Sequence, residues 1–171
     1  DANAKGYNSG KGPGASLSQA GASYGGRGAG GGKDPYGCKE WPQDPGSGGR
    51  ADMAWRGGGL VTIEAAARMR IDGTIRTTGA DGGTWSSAAS GGGVALSCKW
   101  LSGSGSVTAN GGGSVHEWCR GAGGRIAIWY LYDNTTGLSN NVAAAKGGAP
   151  AEDGTVFWGK RNAPGTVLLL R

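Results

Sequence analysis

Phenylalanine and histidine each occur once in this chain of 171 residues, methionine twice and proline only six times. The scarcity of proline, with no Gly-X-Y period, excludes collagen even though glycine supplies 39 residues. No apolar run approaches the roughly 18 residues of a membrane-crossing helix, so no membrane span is expected. Helical periodicity is nearly missing as well. The best helical stretch, Glu64-Ala65-Ala66-Ala67-Arg68-Met69-Arg70, is short and bracketed by β-type runs. No CxxC pair suggests zinc, so neither a metal nor a cofactor is expected. No initiator methionine or leader precedes Asp1, as for a processed mature form or a piece of something longer.

Charge is equally uninformative about chemistry. The formal charge is +5, but the basic residues are scattered singly. A nucleic-acid partner, which would need a basic stripe with stacking aromatics, is not expected. Nine carboxylates, Asp34, Asp44, Asp52, Asp72, Asp81, Glu117, Asp133, Glu152 and Asp153, form no ladder at a fixed period. Asp72 and Asp81 read as turn residues. His116 has no recognisable nucleophile motif beside it, and Gly30-Gly31-Gly32-Lys33 lacks phosphate-loop spacing. No catalytic residue is assigned, and the chain is read as a non-enzyme.

What the sequence does have is glycine in clusters, with β-forming runs between them. Gly58-Gly59-Leu60-Val61-Thr62-Ile63, Gly91-Gly92-Gly93-Val94-Ala95-Leu96 and Gly123-Gly124-Arg125-Ile126-Ala127-Ile128 repeat one pattern. Val61 and Val94 lie 33 positions apart, and Val94 and Ile126 lie 32. A second track joins Gly73-Thr74-Ile75-Arg76-Thr77 to Gly105-Ser106-Val107-Thr108-Ala109, again 32 apart. Gly154-Thr155-Val156-Phe157 and Gly165-Thr166-Val167-Leu168-Leu169 read as that second track shortened. One such strand buries too little to be stable alone, whereas stacking at a fixed period joins the inward faces into one core. The expected fold is therefore all-β. It is a single parallel β-solenoid over residues 1–171, with an irregular glycine-rich lead-in over 1–56 and coils over 57–171. Each coil is expected to hold about two strands, with glycine at the corners. A β-sandwich is the rival, but it supplies no reason for the long echo.

The stretch from Gly91 to Gly113, clearest in Leu101-Ser102-Gly103-Ser104-Gly105-Ser106-Val107-Thr108-Ala109-Asn110, resembles the glycine-rich β-helix modules of very large cell-surface and secreted proteins. The resemblance implies a surface or adhesive role and brings no catalytic set. Three cysteines and many tryptophans depart from that pattern.

Cys38, Cys98 and Cys119 are an odd set. In an oxidising setting the expected disulfide is Cys38–Cys119, with Cys98 as a buried apolar filler and Cys98–Cys119 as the next choice. Asn134-Thr135-Thr136 fits an N-glycosylation acceptor. Of seven tryptophans, Trp41 and Trp118 are the candidates for stacking on glycans or a partner, against a plain role of covering glycine corners. Val167-Leu168-Leu169-Leu170 is an apolar β-forming run that reads as an assembly interface. Together these lead to an expected extracellular structural protein, self-associating head-to-tail as a homopolymer or stacking on neighbouring modules of a longer chain. The alternatives are a carbohydrate-binding module and, behind it, a polysaccharide lyase or hydrolase.

Overall fold

A computed structural model of the chain describes residues 1–16, 19–50 and 54–162. All its regular elements are short parallel strands, with two 3-10 turns and no α-helix among the described residues. The first coil contains β1 (Leu60–Glu64), β2 (Arg68–Arg70) and β3 (Thr74–Arg76). The second contains β4 (Gly93–Ser97), β5 (Trp100–Gly103) and β6 (Ser106–Thr108). The third contains β7 (Arg125–Tyr130), β8 (Tyr132–Thr135) and β9 (Val142–Ala143), and β10 (Thr155–Lys160) opens a fourth. Like strands pair in parallel, giving sheet A in the order β1-β4-β7-β10, sheet B in the order β2-β5-β8 and sheet C in the order β3-β6-β9.

The repeat in the sequence is the register of sheet A. Val61 pairs with Val94 and Val94 with Ile126, and Ile63, Leu96 and Ile128 follow two residues on. Alternation turns Val94, Leu96, Ile126 and Ile128 inward, where they meet Met69 and Leu101 from sheet B and Val107 from sheet C. Fully burying each aliphatic side chain is worth about 1.5–3 kcal/mol. β1 closes the stack on one side, so Val61 is only half-buried and Ile63 stays 40% exposed.

Three expectations need correction. Each coil has three strands, not two: Arg68-Met69-Arg70, read above as the tail of a weak helical stretch, is a strand whose Met69 points inward beside Leu101. Thr155–Lys160 belongs to the first track, because it pairs with β7. Gly165–Leu169, with the expected interface Val167–Leu170, lies outside the described residues.

The third correction concerns the glycine clusters before each first strand, which are not corners, although Gly73 and the left-handed Gly103 do turn the coil between its second and third strands. After each third strand the chain leaves the coil, turns and returns: 77–82 out and 87–92 back, then 109–113 and 120–124, then 144–148 and 151–154. These segments are rich in Gly, Ala, Ser and Thr and hydrogen-bond to several neighbours at once. Ala88 N–H donates to Cys119 O at 2.7 Å, Ala89 to Ala80 O at 3.0 Å and Ser90 to Ser47 O at 3.1 Å. Gly91 then returns to the first neighbour, Ala122 O at 3.0 Å, and Gly92 to the second, Thr77 O at 2.7 Å. Donor direction thus repeats every third residue, the symmetry of an extended helix with about three residues per turn. Such a helix has no internal hydrogen bonds, so its backbone groups must be satisfied by neighbouring chains.

Close approach is what makes glycine necessary here. A Cβ on Gly91 would lie against Ala109 O and 2.6 Å from Gly124 N, two atoms that are themselves hydrogen-bonded at 2.7 Å. The arrangement recurs in each coil: Gly58 covers the Gly92 N–H to Thr77 O bond, and Gly123 covers Gly154 N–H to Ala144 O.

Residues before β1 complete the bundle and cover sheet A. Tyr7 N–H donates to Gly46 O, Gly57 N–H to Tyr7 O and Ala122 N–H to Ala22 O. Ala95 and Ala127 alternate with the inward residues of β4 and β7, yet both are fully buried. The covering segment is residues 36–44: Arg125 Nε donates to Tyr36 O at 2.8 Å and Trp129 Nε1 to Glu40 O at 2.6 Å. Small side chains on the outer face let this segment lie close.

Candidate functional site

Polar chemistry in the fold is mostly spent on backbone. Asp81 accepts from Gly113 N–H at 2.7 Å and Asp72 from Ser104 N–H at 3.4 Å, each tying a coil to the one 32 residues later. Glu152 accepts from Arg27 N–H and Asp153 from Lys146 N–H. The hydrogen bond from Arg70 holds the Asp72 carboxyl below its ordinary range. Among the described residues no three His, Cys, Asp or Glu side chains gather closely enough to hold a metal ion.

The cysteines do not pair. Cys38 is exposed with its thiol directed at Glu40, whereas Cys98 and Cys119 are buried, and all three are free. Neither the expected Cys38–Cys119 bridge nor Cys98–Cys119 is formed. Cys98 sits in the solenoid core, while Cys119 ends the 3-10 turn Glu117–Cys119 beside the glycine bundle. Burial pushes both of those thiols up from the ordinary cysteine value.

Two tyrosines, Tyr24 buried and Tyr36 half-buried, fasten the covering segment. Tyr24 and Tyr36 pack ring to ring at 4.6 Å, and burial holds both phenols well above the ordinary tyrosine value. Arg125, only 7% exposed, lies over the Tyr24 ring and also donates to Thr155 Oγ1 at 3.1 Å. This is a buried cation satisfied by a carbonyl, a hydroxyl and an aromatic face, a structural clamp.

Exposed aromatics collect in two places. At the tips of the glycine-rich excursions, His116 stacks on Trp85 at 3.6 Å and lies parallel to Trp118 at 6.4 Å. Trp85 is 56% and Trp118 48% exposed. Trp118 faces an open groove of about 580 Å³ shared with Gln19, Ala20 and Gly30. Trp41, the other expected stacking residue, is half-buried and lines a separate 240 Å³ depression with Glu40, Ser97, Trp129 and Arg161.

The second collection is on the outer face of sheet B. Arg68, Trp100 and Tyr132 occupy equivalent positions on β2, β5 and β8, and Arg70, Ser102 and Asn134 form the adjacent column. Trp100 stacks on Tyr132 at 5.5 Å, with Lys99 Nζ 4.5 Å from the Trp100 ring and the Arg68 guanidinium 5.7 Å from it. Asn134, the candidate glycosylation acceptor, is exposed on this face. Sequence reasoning passed over Trp100 and Tyr132, although positions 68, 100 and 132 recur at the coil period.

No protein family, no characterised protein and no solved structure matches the chain.

Proposed function

We propose that the chain is a structural module of an extracellular surface filament or adhesin whose coils stack head-to-tail on a second copy or on a neighbouring module. The observation that carries this reading is the edge of the first coil. β1 and β2 each have a strand neighbour on one side only, whereas at β3 the Arg76 carbonyl already accepts from Ala2 N–H at 2.7 Å; Leu60 and Ile63 are 37% and 40% exposed on the β1 edge. Unpaired strand edges with apolar side chains template further pairing. The opposite edge is formed by β10, β8 and β9. Joining unlike ends is a heterologous contact, which propagates when it does not close.

Electron microscopy of the concentrated chain tests this. Filaments are expected from the wild type and dispersed particles from Ile63→Lys, which places a charge on the edge. Dispersed wild-type particles at high concentration would sink the proposal. The exposed Trp85–His116–Trp118 stack above its groove favours a second reading, a carbohydrate-binding module. Glycan binding lost in Trp118→Ala would support that one.

A further inference from the structure

We infer that the outer face of sheet B is a binding site for acidic oligosaccharides. It carries the carbohydrate reading to different residues and is independent of filament assembly. Three observations converge on it.

The first is shape. A groove of about 280 Å³ is lined by Arg68, Trp100, Ser102 and Asn134. A neighbouring depression of about 270 Å³ is lined by Ala66, Lys99, Leu131, Arg161 and Asn162. Lys99 links the two, lining the second depression while its ammonium lies over the Trp100 ring of the first.

The second is charge. Among the described residues, neither Arg68 nor Lys99 forms an ion pair with a carboxylate; both instead lie by the Trp100 ring. Arg161 donates to Ser97 Oγ at 3.2 Å, and Arg70 is matched by Asp72. The groove walls therefore present cations whose charge is not neutralised locally, which suits an anionic ligand. A guanidinium offers a planar fork to a carboxylate.

The third is the mixture of groups. Trp100 and the 47%-exposed Tyr132 supply aromatic surface, while Ser102 hydroxyl and Asn134 amide stand one column away. The Tyr132 ring, with Trp100 stacked behind it, packs against the C–H face of a sugar ring, and hydroxyl and amide groups match its hydroxyls. Adjacent strands lie about 4.8 Å apart, so aromatic, cationic and polar groups recur along the solenoid axis at a spacing that accommodates successive sugar units. A polyanion held by charge alone would need neither the indole nor the polar column.

Calorimetric titration of the full chain, produced in a host that leaves Asn134 unmodified, tests this. The probes are a galacturonic acid oligomer, a neutral glucose oligomer of equal length and a polyglutamate of equal charge. The acidic sugar is expected to bind at least about tenfold more tightly than either control. Tyr132→Ala should weaken it by about tenfold or more, the size expected for an exposed aromatic anchor. Ser102→Asp is the second variant; it leaves both rings in place, adds a negative charge to the groove and should weaken the acidic sugar while leaving the neutral oligomer unchanged. Circular dichroism establishes that both variants are folded. No binding of the acidic sugar, equal binding of polyglutamate, or binding untouched by Ser102→Asp overturns the assignment.

Discussion

Replacing Gly91 by alanine inserts one methyl group where the structure has no room for it. The new Cβ lies against Ala109 O and 2.6 Å from Gly124 N, so it wedges into the bond that joins those two atoms. Overpacking of this kind costs about 1–3 kcal/mol. Breaking the hydrogen bond leaves a buried donor and acceptor unpaired, a further cost of about 1–3 kcal/mol. The reduced freedom of the unfolded chain returns only about 0.4–1 kcal/mol. The net loss is roughly 1–6 kcal/mol, a large part of the 5–15 kcal/mol typical of a domain. Gly73 is the control: a Cβ there meets nothing within 4 Å, and its backbone is not left-handed. Gly73→Ala should therefore stabilise by about 0.4–1 kcal/mol. Urea unfolding followed by circular dichroism measures both. If Gly91→Ala proved as stable as the wild type, the close-packed bundle of extended glycine segments would be refuted.

Other consequences are as direct. Ellman's reagent should label Cys38 at once, and Cys98 and Cys119 only on unfolding; immediate labelling of all three thiols would contradict their burial. Burial raises the Cys98 and Cys119 thiols, so their contribution to stability is complete below the unfolded thiol value near 8.5 and declines as pH rises above it. The Cys98→Ala, Cys119→Ala double variant should show a shallower fall of urea midpoint with pH. Leu96→Ala, at a fully buried position in sheet A, should cost about 2–5 kcal/mol in the same unfolding assay. Arg125→Ala strips the donor from Tyr36 O, and limited proteolysis should then cut the segment over residues 33–40 faster than in the wild type.

The sequence shows the solenoid where inward positions repeat residues of one kind. Val61, Val94 and Ile126 are register partners, and their spacing is the coil length. Ile75 and Val107 gave the third side of the coil in the same way. Sheet B escaped notice because its register positions hold Met69, Leu101 and Asp133, which share no residue type, whereas sheet C repeats Ile75 and Val107. Glycine clusters are ambiguous by nature, since a tight corner and a close-packed extended segment both require them. The distinguishing signal was the company they keep: Ser87-Ala88-Ala89-Ser90-Gly91-Gly92 has no bulky side chain for six consecutive positions. A corner does not need that, whereas a chain enclosed by neighbours does. The disulfide expectation failed because cysteine spacing says nothing about which side of a coil each thiol occupies. Trp118 was found by its place beside a glycine cluster, but the Arg68–Trp100–Tyr132 column emerges only once sheet B is known.

Hydrogen exchange at β1 tests the stacking claim most directly. In dispersed chains, the β1 amides that are not bonded to β4 should exchange quickly, because that edge has no strand neighbour. In concentrated, assembled material the same amides from Leu60 to Glu64 should become as protected as those of β4. Rapid exchange at β1 in the assembled state would show that chains associate elsewhere, and the head-to-tail account would be wrong.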